Sequence, residues 1–208
     1  FMIDDQYAPL TEAILEAIRK LSDQPIRFVL NTHWHGDHTG GNENLGNAGA
    51  LIVAHDNVRE RLRTDQSMPF FGREVPASPA AALPVVTFSD ALSFHLNGED
   101  IRALHFPAAH TDGDAVVQFR GSNVVHMGDI YFNGLYPFID SGSGGSIRGM
   151  VAAIDQVLPL MDADTRVIPG HGPLSNRDEL AAYRNMLADV ADRISALLAE
   201  GKDLAAIH

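Results

Sequence analysis

Residues 32–42 read THWHGDHTGGN, and four potential metal ligands occur there within six residues. These ligands are His33, His35, Asp37 and His38. The run follows a short apolar stretch at residues 26–30, which suits a buried strand. It therefore lies on the loop after a strand, where α/β folds commonly carry their chemistry. The chain must fold so that a buried strand ends in this loop.

The residue types in this run are those that bind zinc where no thiolate is present. The chain has ten histidines and no cysteine, so any metal must be held by histidine and carboxylate. On an extended loop, residues two apart can converge on one ion, which suits His33 and His35. Asp37 and His38 follow closely and could face a neighbouring ion. We prefer a metal site to a histidine-rich surface loop, because the four ligands lie beside a Gly-Gly pair that lets the backbone fold tightly.

Strand and helix patterns alternate at both ends of the chain, with a block of short strands between them. Helices are predicted at residues 10–21 (with Thr11 as the cap), 42–45, 57–63, 147–158 and 176–199. Strands are predicted at residues 26–30, 50–54, 85–88, 91–96, 101–106, 115–119, 123–127 and 166–168. Residues 68–84 are rich in proline and alanine and are predicted to form a long surface loop or flap. The pattern predicts a layered α/β architecture.

Three further motifs follow the first in the chain. They are Ala109-His110-Thr111-Asp112-Gly113-Asp114, Met127-Gly128-Asp129 and Pro169-Gly170-His171-Gly172. Together with His-x-His-x-Asp-His at residues 33–38, they resemble the motifs of the metallo-β-lactamase superfamily of hydrolases. The motifs occur in the order of that family and span nearly the whole chain.

The resemblance implies a centre with two zinc ions. The first ion would be held by His33, His35 and His110. The second would be held by Asp37, His38 and His171, with Asp129 bridging the two. Seven ligands for two ions leave open coordination positions, which favours catalysis over a structural site. Iron or manganese could replace zinc, since histidine and aspartate accept several first-row metals.

The resemblance also implies an α/β fold, a four-layer αββα sandwich with the site at one edge of the two sheets. We expect one domain over residues 1–208. Family members normally have several strands before the segment equivalent to residues 1–5, whereas this chain begins FMIDD. We therefore expect a sandwich that lacks its first N-terminal strands and a natural precursor that is longer.

The expected mechanism follows from the two ions. Zinc ions a few ångströms apart lower the pKa of a shared water toward about 7 and present hydroxide at neutral pH. One ion polarises the substrate carbonyl, and the other stabilises the leaving group. Asp37 is placed to orient the hydroxide and to shuttle a proton. The sequence therefore predicts a dinuclear zinc hydrolase that opens cyclic amide or ester bonds with a metal-bound hydroxide.

The substrate class is less well determined. β-Lactamase activity is expected first, because a second ligand set without cysteine resembles the lactamase subclass that uses only histidine and aspartate. A bridging Asp129 is instead typical of the superfamily's thioesterases and lactonases, so a glyoxalase II-like thioesterase or a lactonase is the alternative. No lysine shortly after Asp129 is available to hold a β-lactam carboxylate. Arg148 could substitute for it.

Composition disfavours a nucleic-acid substrate. The formal net charge is −12, with 15 basic and 27 acidic residues, whereas nucleic-acid binders need a basic surface. A metal-dependent phosphodiesterase is therefore the weakest alternative, and we expect a small-molecule substrate. No stretch reaches the roughly 18 uninterrupted apolar residues of a membrane span. We expect a periplasmic location if the missing N-terminus carries a signal peptide, and a cytoplasmic one otherwise. The oligomeric state is not predicted.

The other histidines and several aromatic residues receive simpler interpretations. Structural roles are predicted for His95, His105 and His126, and a helix-capping role for His55 and Asp56. Four aromatic residues after the third motif are expected to divide between the core and a pocket over the metals. They are Tyr131, Phe132, Tyr136 and Phe138. Residues 68–71 are interpreted as a substrate flap or as a loop with buried aromatics.

Overall fold

The computed structural model of the protein describes residues 1–207, so the last residue of the predicted domain, His208, lies outside it. The strands are β1 (Met2–Ile3), β2 (Phe28–Leu30), β3 (Leu51–His55), β4 (Gln66–Met68), β5 (Arg73–Val75), β6 (Val86–Phe88), β7 (Ala91–Leu96), β8 (Glu99–His105), β9 (Ala115–Phe119), β10 (Val124–His126), β11 (Arg166–Ile168) and β12 (Ser175–Asn176). The helices are α1 (Thr11–Arg19), α2 (Gly36–Thr39), α3 (Asn42–Asn47), α4 (Asp56–Leu62), α5 (Ile147–Val157), α6 (Arg177–Ala199) and α7 (Leu204–Ile207). None of these helices is long and apolar enough to cross a lipid bilayer.

The strands form two main sheets. The first has the order β1-β2-β3-β6, and all of its pairs are parallel. The second has the order β12-β11-β10-β9-β8-β7 and is antiparallel except between β10 and β11. Strands β4 and β5 form a separate hairpin.

Alternate residues of the first sheet enter different apolar clusters. Leu30 and Val53 are register partners and pack with Ile101 and Val117 of the second sheet. Their chain neighbours Val29 and Ile52 face the opposite way, against side chains of α1 and α3. Because successive residues of a strand point to opposite faces, this division shows that the first sheet is buried on both sides.

The second sheet alternates in the same way. On β9, Ala115 and Val117 face the first sheet, while Val116 joins the cluster formed by α5 and α6. That cluster includes Met150 of α5 and Leu180 of α6, neither of which has any exposed surface. The order of layers is therefore helix, sheet, sheet, helix, which confirms the αββα sandwich.

Two details differ from the sequence prediction. Thr11 is the first residue of α1 rather than its cap, because a short 3₁₀ turn at Ala8–Leu10 leads directly into the helix. Thr11 instead accepts a hydrogen bond from the Asn44 side chain, which links α1 to α3. Residues 68–84 are not one long loop, since β4 and β5 form a hairpin whose turn carries Phe70 and Phe71.

Two structural histidines stack on each other between the sheets. The His55 and His105 rings lie 3.5 Å apart at 12°, at the ends of β3 and β8. His55 also caps α4, as predicted, by accepting the Asn57 backbone N–H at Nδ1. Burial lowers the pKa of both imidazoles below the ordinary value, so the fold favours the neutral rings.

This pair predicts a loss of stability in acid. Unfolded histidines bind protons below about pH 6.5, and the folded pair binds them only at lower pH. The neutral pair therefore makes its full contribution to the free energy of unfolding above about pH 6.5. That contribution falls as the pH drops toward the lowered pKa values of the folded imidazoles. Between pH 7.5 and 5.5, the urea midpoint of the chelator-treated protein should fall less for His105→Gln than for wild type. The exposed control His95→Gln should follow wild type, and equal falls in all three proteins would contradict the prediction.

Candidate metal centre

The first ligand-bearing segment begins where β2 ends, in the middle of the first sheet. His33 and His35 lie on the extended residues after β2, and the short α2 carries Asp37 and His38. The Thr39 hydroxyl donates to the His35 carbonyl at 3.0 Å and holds this turn. The change from extended chain to helix directs all four ligand side chains toward one edge of the sandwich.

Connections in the second sheet supply the other three side chains. His110 lies between β8 and β9, Asp129 lies in a short turn after β10, and His171 follows β11. The buried Asp114 carboxylate fixes the first of these loops. It accepts hydrogen bonds from the backbone N–H groups of His110 and Thr111 at 2.6 and 2.8 Å. The loop geometry thus places His110 opposite the segment after β2.

A first cluster is formed by His33, His35, His110 and Asp129, all of them buried. His35 Nδ1 lies 3.1 Å from His33 Nε2 and 3.0 Å from His110 Nε2. The Asp129 Oδ2 atom lies 3.8 Å and 3.5 Å from the same two Nε2 atoms. Tetrahedral zinc with bonds of about 2.0–2.1 Å has ligand atoms about 3.3 Å apart. This cluster therefore suits a single ion.

A second cluster is formed by Asp37, His38 and His171. Asp37 Oδ2 lies 3.4 Å from His38 Nε2 and 3.3 Å from His171 Nε2. Asp129 reaches this cluster too, because its Oδ1 is 3.2 Å from His38 Nε2 and its Oδ2 is 3.3 Å from His171 Nε2. One buried carboxylate thus contacts both clusters. The structure thus brings the seven candidate side chains together in two adjoining groups.

Two buried atoms lie where the clusters meet, His38 Nε2 of the second cluster and Asp129 Oδ1 of the first. They are 3.2 Å apart, but within residues 1–207 neither of them forms a hydrogen bond. Buried polar atoms are normally paired, because an unpaired one costs about 1–3 kcal/mol. A metal ion bound by both atoms would remove that cost. The residues present therefore fit a metal centre.

The opposite ring nitrogens of His35, His38 and His110 are held by hydrogen bonds. His35 Nε2 donates to Asp140 Oδ2 at 2.9 Å, and His38 Nδ1 donates to Asp4 Oδ2 at 2.7 Å. His110 Nδ1 donates to the Phe138 carbonyl at 2.8 Å. Such bonds fix the tautomer and leave the other nitrogen free to bind a metal. Asp4 and Asp140 carry no sequence signal, since they lie 34 and 105 residues from the histidines that they orient.

The charge states of His110 and Asp129 suit metal binding, whereas His38 must first lose a proton. Burial, above all, lowers the pKa of His110 to about 4, so its imidazole is neutral. Burial opposes charge on Asp129 and on His38, but in both groups nearby partners outweigh it. His33 and the other histidines hold the pKa of Asp129 well below the usual range of an aspartate. The Asp4 carboxylate raises the pKa of His38 well above the usual value of a histidine. His38 would therefore release a proton when a metal binds.

Asp4→Asn is expected to weaken zinc binding by about 10- to 100-fold. This is the usual effect of losing the carboxylate that accepts a hydrogen bond from a metal-binding histidine, here His38. Asp4 has a positive φ of 52°, which asparagine tolerates, so the backbone should be retained. Its Oδ1 atom accepts the Thr32 backbone N–H at 2.7 Å, and an asparagine oxygen can keep that bond. Competition with a chromogenic zinc chelator measures the effect, and an unchanged affinity would contradict it. Asp23→Asn, an exposed aspartate, is the control.

A cavity of about 350 Å³ opens over the two clusters. Its lining residues are Tyr7, His35, Gly36, Asp37, Met68, Phe71, Arg73, Asp129, Phe132, Phe138 and His171. Phe132 stacks on the His171 ring, with centroids 5.1 Å apart. Tyr131 is a core residue, and Tyr136 is 84% exposed outside this cavity. Phe132 and Phe138 therefore line the pocket and Tyr131 lies in the core, as predicted, whereas Tyr136 lies in neither.

Residues 68–71 form part of a wall of this cavity rather than a buried loop. Met68 and Phe71 line it, and Phe70 and Phe71 are 80% and 56% exposed. Arg148 lies elsewhere: it pairs with Asp192 of α6 at 2.7 Å and does not line the cavity. It is therefore not placed to hold a substrate carboxylate.

The three histidines for which structural roles are predicted lie outside the ligand clusters. His126 accepts the Gly128 backbone N–H, His95 pairs with Asp100 at the surface, and His105 stacks on His55.

Comparison with known proteins agrees with the family resemblance that the sequence motifs indicate. A family model described as "Metallo-beta-lactamase superfamily" matches residues 5–195. A hydroxyacylglutathione hydrolase of Nitrosococcus oceani is 29% identical over 81% of this chain and 57% of its own. One of Halorhodospira halophila is 31% identical over 82% of this chain and 55% of its own. The chain thus spans little more than half the length of these relatives.

Solved structures agree on the fold. A metallo-β-lactamase from Pontibacter korlensis matches with a TM-score of 0.71 over 89% of this chain and 80% of its own. The sequence identity is 20%, so the match concerns the fold alone.

Proposed function

The chain belongs to the metallo-β-lactamase superfamily, and on that premise we propose that it is a dinuclear zinc hydrolase that cleaves ester and thioester acyl bonds. Members of the superfamily are hydrolases, so the general reaction class follows from the family. The single observation that supports a two-metal reaction is the position of Asp129. Its carboxylate is 5% exposed, and its two oxygens contact the His33 side and the His38 side of the centre.

The proposed ligands are those that the sequence motifs indicate. His33, His35 and His110 would hold one ion, and Asp37, His38 and His171 would hold the other, with Asp129 shared. When bound, the ions would act as Lewis acids toward the substrate carbonyl and lower the pKa of a water toward about 7. The rest of the reaction depends on groups of the chain.

Asp37 is the carboxylate best placed to act during the reaction. Its side chain is about one quarter exposed, whereas that of Asp129, which also lines the cavity, is almost fully buried. Asp37 can therefore orient a water through a hydrogen bond, accept its proton and pass that proton to the leaving group. Phe132 and Phe138 line the same cavity, and there they would shield a bound acyl group from water, which strengthens electrostatic interactions in the site.

Two observations favour ester and thioester substrates. A carboxylate at the Asp129 position is typical of the superfamily's thioesterases and lactonases. In addition, two similar relatives bear the name hydroxyacylglutathione hydrolase. Opening of a β-lactam is the second candidate, because the ligand set for the second ion contains only histidine and aspartate.

Initial rates on four substrates test the proposal. The zinc-loaded protein is assayed on a hydroxyacyl glutathione thioester, an aromatic lactone, a chromogenic cephalosporin and an aryl phosphodiester, each with and without a chelator. We expect chelator-sensitive turnover of the thioester or lactone at least about tenfold above that of the cephalosporin. Fastest turnover of the cephalosporin would establish the second candidate instead. Phosphodiester cleavage alone, or no turnover at all, would overturn the proposal.

A further inference from the structure

The β4–β5 hairpin contributes the one arginine of the cavity wall. Met68 and Arg73 are register partners on the two strands, and both line the cavity. Val75, on the same face, packs with Met68 against the cluster around Trp34. The hairpin is therefore anchored to the sandwich on the face that carries Arg73.

The Arg73 guanidinium is not neutralised by its own hairpin. Glu74 is the neighbouring acid, but side chains alternate along a strand, and Glu74 lies on the opposite face. There its carboxylate accepts a hydrogen bond from the Ser67 hydroxyl at 2.8 Å. In the described chain, the ion pairs of arginine involve Arg19, Arg61, Arg63, Arg148, Arg177, Arg184 and Arg193. Arg73 is absent from this set, although the chain has a large excess of acid.

An apolar wall joins the centre to the hairpin. The Phe138 ring lies 6.1 Å from the His35 ring and 6.0 Å from the His110 ring. On its other side, Phe138 contacts Phe71 and Phe70, with centroids 4.9 and 5.4 Å away. Exposed aromatic groups gathered at a cavity mouth are typical of a ligand-binding surface. The wall can hold an apolar segment between the reacting carbonyl and Arg73.

The other ionisable groups that line the cavity are the candidate metal ligands and one phenol. Within the lining set they are His35, Asp37, Asp129 and His171, the candidate ligands, and the phenol Tyr7. Arg73 alone is a cation that is available to a substrate. A guanidinium binds a carboxylate through two parallel hydrogen bonds, which gives orientation as well as affinity.

Resting on the proposed hydrolase function, we propose that the substrate is an acyl compound with a carboxylate at the end of an apolar segment. Arg73 binds that carboxylate, and Phe71 and Phe138 contact the segment. Arg73 is a specificity-determining residue, not a catalytic one, since it acts at a distance from the reacting bond. Because Arg73 contacts only the carboxylate, its loss should lower kcat/KM for charged substrates only. Because Phe71 contacts the apolar segment, its loss should lower kcat/KM for charged and neutral substrates alike.

A matched pair of esters tests this division. p-Nitrophenyl hexanoate is neutral, and mono-p-nitrophenyl adipate has the same chain length and ends in a carboxylate. For the adipate ester, Arg73→Gln should lower kcat/KM about five- to twentyfold, mainly through KM, and should change the hexanoate ester less than twofold. Phe71→Ala should lower both to a similar degree. Arg120→Gln, an exposed arginine outside the cavity, is the control for charge and should leave both unchanged.

The outcomes separate this inference from the proposed function. An equal effect of Arg73→Gln on both esters, or no effect on either, would overturn the role of Arg73 while leaving the hydrolase proposal intact.

If the zinc-loaded wild type hydrolyses neither ester, the proposed function fails for esters. Calorimetric binding of monomethyl adipate and dimethyl adipate then decides whether Arg73 binds a carboxylate. Tighter binding of the monomethyl ester, abolished by Arg73→Gln, would support it. Equal binding of the two ligands to wild type would overturn it.

Discussion

Asp129→Ala is expected to lower kcat/KM by at least about 10³-fold and to leave the protein unable to retain two metal ions. Asp129 is the one carboxylate within 4.0 Å of ligand nitrogens in both clusters. Metal ions contribute several kcal/mol to transition-state stabilisation, and each 1.4 kcal/mol corresponds to a tenfold change in rate. A variant that lacks the carboxylate shared by the two clusters would lose that contribution at both proposed ions.

Kinetics and elemental analysis of the purified variant test this expectation. Asp129→Asn, which keeps the side-chain volume, should be similarly inactive and should show a wild-type circular dichroism spectrum, so that misfolding can be recognised. Asp100→Ala is the control, since this aspartate is exposed and pairs only with His95. Retention of a tenth or more of wild-type activity by both Asp129 variants would contradict the bridging role.

Gly170→Ala is expected to lower kcat/KM by about 100-fold. An added Cβ atom at residue 170 would lie 2.0 Å from Asp129 Oδ1 and 2.7 Å from the Gly128 carbonyl carbon. The backbone is the harder of these neighbours to move, because the Gly170 N–H bonds the Gly128 carbonyl oxygen at 2.8 Å. The Asp129 carboxylate must therefore shift, and a misplacement of about 1 Å in a catalytic site can cost about 10²-fold in rate.

A second glycine variant separates this local clash from the general cost of replacing glycine. Gly98 lies in the β7–β8 turn with φ of +75° and has nothing within 4 Å of its added Cβ atom. Gly98→Ala should lower the unfolding midpoint through backbone strain but leave kcat/KM unchanged. If Gly170→Ala changes only stability, as Gly98→Ala does, the close packing against Asp129 has no catalytic role.

Much of the fold is predictable from short apolar runs. The predicted strand at residues 166–168 has the same bounds as β11, and β2, β3 and β9 lie where the apolar runs place them. The β4–β5 hairpin escapes prediction, because its strands, QSM and REV, contain too few apolar residues to show alternation. Thr11 is misassigned because the chain already turns at Ala8–Leu10, before the helix. The hairpin packs through Met68 and Val75 against the cluster around Trp34, a contact that the local sequence does not show.

The candidate ligands are predictable because each lies in a recognisable local motif. The groups that orient these ligands, and the arginine of the cavity wall, are not predictable from the sequence. Asp4 and Asp140 meet their histidines only through the folding of distant segments, and Arg73 lies on the hairpin that the sequence does not reveal. Arg148, which the sequence does suggest for binding a carboxylate, is occupied by Asp192 between two helices. Sequence therefore indicates the centre, and only the fold reveals what surrounds it.

The proposed dinuclear centre is tested by the zinc content of the purified protein after dialysis against metal-free buffer, measured by elemental analysis beside Asp129→Ala. We expect about two zinc ions per wild-type chain, the number that two ligand clusters sharing one carboxylate can hold, and fewer than one in the variant. A wild-type protein that takes up no zinc, or that keeps the same zinc content without Asp129, would contradict a dinuclear centre.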